Sequence, residues 1–157
     1  DKNEIVVINA NTHVVEAHWS IAPIESPTGL AIDKATKRLF TAGEKLFGVI
    51  NAETGEMVTT IGIGDGCDGV AFDNKSKLIF TSNGEGTMSI IKEADANHFS
   101  LVENITTAKG ARTIAIDEAT HKIYLPTADF EPLPADAKPN TRPKMIPGSF
   151  KVLVANK

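Results

Sequence analysis

Three aspartates, Asp33, Asp73 and Asp117, recur along the 157-residue chain at spacings of 40 and 44 residues. Recurring carboxylates invite a general acid–base reading. Each, however, closes a short apolar run (GLAID, GVAFD, TIAID) and opens a turn such as Asp33-Lys34-Ala35-Thr36, where a carboxylate accepts backbone N–H groups. Their role is therefore read as structural. Cys67 is the only cysteine, which leaves no internal disulfide and no two-cysteine metal motif. A nucleophilic thiol wants a base or a positive charge beside it. No histidine lies near Cys67 in sequence, and Arg112 is the one cation that the repeat brings to a similar position. The run Gly62-Ile63-Gly64-Asp65-Gly66 resembles a phosphate cradle, but such a cradle follows a strand and opens a helix. Here the next segment is another strand, so the glycines serve a change of direction. Of the four histidines, only His13 and His18 lie close together, and a five-residue offset puts them on opposite faces of a strand. No metal site and no cofactor is expected.

The elements that must position these residues are strands. EIVVI at 4–8, a turn at Asn9-Ala10-Asn11-Thr12 and a segment at 13–21 make a hairpin, which Pro23 and Pro27 end. From Thr28 a four-strand unit follows, with strands near 29–33, 38–42, 45–51 and 56–63. Its copies align residue by residue: GLAID over GVAFD over TIAID, Arg38-Leu39-Phe40 over Leu78-Ile79-Phe80 over Lys122-Ile123-Tyr124, and IVVINANT at 5–12 over FGVINAET at 47–54. The chain thus begins at a third strand and ends on another, FKVLVA at 150–155. The count is two, four, four and three strands.

A period near 40 with four strands per repeat is the signature of a β-propeller blade. The expected fold is all-β, with four-stranded antiparallel blades forming an incomplete arc of about three to four blades. Its parts are the end of one blade at 1–22, blades at 27–63 and 67–107, and a blade at 111–157 lacking its last strand and carrying a Pro-rich insertion at 126–148. Open ends would leave unpaired edges and uncovered faces. The expected partners are therefore the remaining blades, cut from the same parent chain or supplied by a second chain.

In such a fold the loops entering each first strand share a face with the loops between second and third strands, and convergent loops are where ligands bind. That face gathers Thr28, Cys67, Asp68 and Arg112 from the first set, with Glu44, Asn83, Glu85 and Asp129 from the second. Mixed charges around a channel suit a small polar ligand, or else form a solvated rim. The insertion holds six of the eight prolines, and its position puts it on the same face as a lid or partner-docking arm.

The segment Phe80-Thr81-Ser82-Asn83-Gly84-Glu85-Gly86-Thr87-Met88-Ser89-Ile90-Ile91 resembles the YVTN-type propeller repeat. Ser26 to Asp33, DGVAFD, SNGEGT and ARTIAID extend the resemblance, which is closest to YncE-like proteins. The resemblance implies a seven-bladed parent, of which this chain is the C-terminal half, and a periplasmic or secreted location. Phe40-Thr41-Ala42-Gly43 and Tyr124-Leu125-Pro126-Thr127 depart from the motif.

The leading functional reading is a non-catalytic binding or interaction scaffold, because no nucleophile, base and orienting group fall in one place. The alternative is a lactonase-like hydrolase of small molecules with its site at the channel mouth, using Glu44, Asp68 and Glu85. A net charge of −4, with one Trp and one Tyr, argues against nucleic acid as a partner. No apolar run approaches the roughly 20 residues that span a bilayer.

Overall fold

A computed structural model describes residues 2–136, 138 and 141–156. These described residues contain thirteen strands: β1 Glu4–Ile8, β2 Val15–Ser20, β3 Pro27–Asp33, β4 Arg38–Gly43, β5 Leu46–Asn51, β6 Met57–Gly62, β7 Cys67–Asp73, β8 Leu78–Asn83, β9 Thr87–Asp95, β10 His98–Thr106, β11 Ala115–Asp117, β12 Lys122–Thr127 and β13 Lys151–Ala155. They form four antiparallel meanders, β1-β2, β3-β4-β5-β6, β7-β8-β9-β10 and β11-β12-β13. This is the blade pattern of a partial propeller.

The sheets are packed face to face, because a meander has an apolar face that it cannot bury by itself. Ile21 and Ile24, just past the first sheet, cover Ile50 of the second. Phe40, Phe47 and Val49 of the second sheet meet Phe72, Ile79 and Ile91 of the third. Phe80 and Met88 of the third meet Ile123 and Leu125 of the fourth. Aromatic contacts reinforce the middle junction, with the Phe40 ring centroid 5.1 Å from that of Phe72 and 6.0 Å from that of Phe99.

The first strands of successive sheets, β3, β7 and β11, are neighbours at the axis of the arc. There the strands come so close that a side chain does not fit, against backbone at Gly29 and against neighbouring side chains at Gly69. A Cβ on Gly29 would lie 2.6 Å from the Val70 nitrogen, and one on Gly69 would lie 2.8 Å from Ile114 Cγ2. The third copy has Thr113 at this position. The sequence pattern predicts a strand over 113–117, whereas β11 covers only Ala115–Asp117. By the register of Ala42 on Gly29 and Ser82 on Gly69, Thr113 would face Pro126. Proline has no N–H to give to the ladder, so the pairing stops short.

The two sets of loops lie at opposite ends of the strands. The upper end holds the chain between sheets and the β4-β5, β8-β9 and β12-β13 connections. The lower end holds the turns that follow each first and third strand. Gly29→Ala is expected to cost about 3 kcal/mol, the upper end for overpacking, because the obstacle is backbone. Urea unfolding at constant m-value measures it, and a loss under about 0.5 kcal/mol would show that the inner strands can move apart.

Candidate functional site

At the upper end, Gly66, with φ at 69°, turns the chain from β6 into β7. The polar residues there divide into those that hold the blades together and those that face outward. Thr28 Oγ1 donates to the Cys67 carbonyl at 2.8 Å, and the Cys67 N–H donates to the Glu44 carbonyl at 3.1 Å. These bonds join the second sheet to the third. Cys67 itself is buried, its Sγ 3.5 Å from the Gly69 carbonyl. Burial pushes its thiol up to about 11, so it is held protonated and is not a nucleophile.

Asn83 is withdrawn in the same way. It is fully buried, accepts from Thr81 Oγ1 at 3.1 Å, and donates to Thr87 Oγ1 and Ser89 Oγ at 3.0 Å each. Its hydrogen-bonding groups are used inside the β8-β9 hairpin, where they fix the turn that presents Glu85. That exposed carboxylate accepts from Thr87 Oγ1 at 2.9 Å. The side chain of Glu44 is exposed, on a left-handed residue with φ at 48°.

One ion pair bridges two sheets on this rim. Arg112 Nε lies 2.9 Å from Asp68 Oδ2, with the two side chains 60% and 33% exposed. Arg112 therefore serves Asp68 and not the Cys67 thiol. Its stem lies against Gly84, where a Cβ would be 3.0 Å from Arg112 Cδ. Asp129 stands apart from this pair and meets Lys151 Nζ at 2.5 Å. The insertion after β12 is anchored at its root: Phe130 bridges Met145, and the Glu131 N–H donates to the Lys144 carbonyl at 2.8 Å. Phe130 also lies over Gly110, two residues before Arg112. The root of the arm thus meets the chain segment that leads to Arg112. Phe130, Leu133, Met145 and Ile146 of the arm are all exposed.

The lower end holds the buried charges. Asp33 Oδ1 accepts the Ala35 N–H at 2.7 Å, and Oδ2 meets Lys77 Nζ of the next sheet at 2.6 Å. Asp73 repeats this, accepting from the Lys75 N–H at 3.1 Å and meeting His121 Nδ1 of the next sheet at 2.7 Å. Burial pushes the Asp33 carboxyl up, but the Lys77 and Ala35 hydrogen bonds outweigh it and the pKa is lowered. At Asp73 burial is likewise outweighed, by Ser76, His121 and backbone N–H groups. Glu93 lies in the same junction, with Oε1 accepting from Thr36 Oγ1 at 2.8 Å and Oε2 buried without a partner. Burial and the neighbouring Asp33 charge raise its pKa, favouring the neutral acid. Among the described residues, no three His, Cys, Asp or Glu side chains come close enough together to hold a metal ion. The turn bonds of the aspartates agree with the repeat pattern. Their clasps to Lys77 and His121, 44 and 48 residues away, left no local signal.

Asp33 and Asp73, lowered in the folded chain, contribute stability above the ordinary value of 3.8 that is lost as pH falls through their folded values. Glu93, raised, contributes stability below 4.5 that is lost as pH rises through its folded value. Glu93→Gln is expected to raise the Tm by about 2–4 °C at pH 7 and to change it little at pH 4. Melts that fall equally at both pH values would show instead that Gln does not fit the junction. For Cys67, Ellman's reagent at pH 8 is expected to react about 100-fold slower or more than after unfolding in guanidinium, following the thiolate fraction. Equal rates would place the thiol at the surface.

Neither a family model nor a curated protein matches the chain by sequence. Solved structures do match in fold. A chain of Kuenenia stuttgartiensis hydrazine synthase superposes at a TM-score of 0.71 and 14% identity over 80% of this chain. A chain of the mitotic checkpoint complex superposes at 0.67 and 17% identity over 78%. This chain spans 36% and 41% of the length of those two chains. At such identities the likeness is one of architecture: the chain has a β-propeller fold, present as a partial ring.

Proposed function

We propose that the chain is a non-catalytic binding scaffold of the YVTN propeller type, exported from a bacterial cell, that engages a protein partner through its upper face. The observation that carries this reading is the arm after β12. Its root is ordered by backbone bonds, yet it exposes Phe130, Leu133 and Met145, with Phe130 over Gly110, two residues before the Arg112 that pairs with Asp68. Exposed apolar side chains rimmed by charge are the usual make-up of a protein-binding patch. The YVTN assignment and the exported location rest on the segment Phe80 to Ile91.

The rim is poorly made for hydrolysis. Asp68 is committed to Arg112, Glu85 to Thr87, and the Cys67 thiol is protonated. A scaffold opens no lactone faster than buffer does, with or without added Ca²⁺, Mn²⁺ or Zn²⁺. Turnover that disappears in Asp68→Asn would replace the scaffold with the lactonase-like reading. A photo-crosslinking residue at position 130 is expected to give a discrete protein adduct in bacterial envelope extract, and the same residue at position 101 on the outer strand none. Equal labelling from both positions would remove the arm as the docking element.

A further inference from the structure

The junctions of the second sheet with the third and of the third with the fourth share two features, and the last sheet has one half of both. The apolar half lies on the second and third strands. Phe47 and Val49 are fully buried against the third sheet, and Met88, at the position of Phe47, is 1% exposed against the fourth. Strand pairing puts Val152 at the position of Phe47 and Met88, and Val154 at that of Val49. These valines are 46% and 53% exposed. Positions that are buried or partly buried in the second and third sheets here face outward.

The ionic half lies at the lower end. Asp33 is clasped by Lys77 and Asp73 by His121, and each of these basic residues stands immediately before the second strand of the next sheet. Both are left-handed, with φ at 55° and 58°, as is Lys37 in the second sheet. A glycine would adopt that conformation without strain. A lysine or histidine is strained there, and one stands at this position in all three copies. The clasp gives a reason to keep it. Among the described residues, Asp117, the third aspartate, accepts only from its own turn, from the Ala119 N–H at 3.0 Å and Thr120 Oγ1 at 2.6 Å.

We propose that the open face of the last sheet docks one further blade of the same repeat, which carries a lysine or histidine as the residue before its second strand and clasps Asp117 with it. The junction continues an interface already formed twice in this chain. A second copy does not supply that blade from its described residues. Its Lys77 and His121 are engaged, and the sheet that holds Lys37 is covered on that side by Ile21 and Ile24. The proposal rests on the propeller fold and is independent of what the arm binds.

The test adds the blade. A copy of residues 52–107 appended after residue 157 supplies a fourth strand to the last sheet and then a whole blade with its own Lys77. In this extended chain Asp117→Asn and the appended Lys77→Ala are each expected to lower the Tm by about 3 °C or more, and together by no more than either alone. In the original chain Asp117→Asn is expected to shift the Tm by less than about 1 °C. Equal shifts in the two chains overturn the clasp. An appended segment that is digested as fast as an unfolded chain overturns the docking of a like blade. A discrete dimer of the original chain in analytical ultracentrifugation, dispersed by Val152→Lys, overturns the choice of occupant in favour of a second copy.

Discussion

No sheet in this protein can be stable on its own, and that constraint governs everything else. A meander of two to four short strands has a core on only one or two faces, and water must be kept from both. Here the exclusion is done by the neighbouring sheet. Phe40, Phe47 and Val49 are core residues only because Phe72, Ile79 and Ile91 of the next sheet lie on them. The repeat in the sequence is therefore a repeat of interfaces as much as of strands. The glycines at the axis follow from it, since wedge-shaped packing brings the inner strands together until Gly29 has no room for a Cβ.

The buried charges follow from the same geometry. Carboxylates at the ends of β3 and β7 are 1% and 2% exposed, and such groups need partners. The turn satisfies one oxygen and the next sheet satisfies the other. Lys77 and His121 thus add direction to packing that apolar side chains alone would leave free to slide. The upper end has fewer such demands. Its Asp68 and Arg112 pair is more exposed, and its one insertion has room to extend outward.

Much of the fold was legible in the sequence because it rests on local rules. Alternation, turn residues and the alignment of GLAID, GVAFD and TIAID locate the strands and set the count at thirteen. The shortening of β11 was also in the letters, at Pro126, but only once the register was known. The candidate site was less legible. Loop position brings Thr28, Cys67, Asp68, Asn83, Glu85 and Arg112 to one end of the blades, but it does not say which side chains turn inward. Cys67 and Asn83 are buried and Thr28 bonds a neighbouring carbonyl, whereas Asp68, Glu85, Glu44 and Arg112 reach solvent. For Thr28, Cys67, Asp68 and Arg112 that choice depends on residues across a junction, about one repeat away, which no local pattern records, whereas Asn83 is turned inward by hydroxyls of its own hairpin.

The covering of faces has a thermodynamic consequence for the arc as a line of coupled units. In a nearest-neighbour array each unit is held by its own internal energy and by a term for every junction it makes. The second and third sheets make two junctions each, the first and fourth one. Protection against amide exchange should then be graded along the chain, deepest in β4, β5, β8 and β9 and shallowest in β1, β2 and β13. An incomplete ring behaves in this respect like a short one-dimensional crystal, ordered in its interior and fraying from both ends.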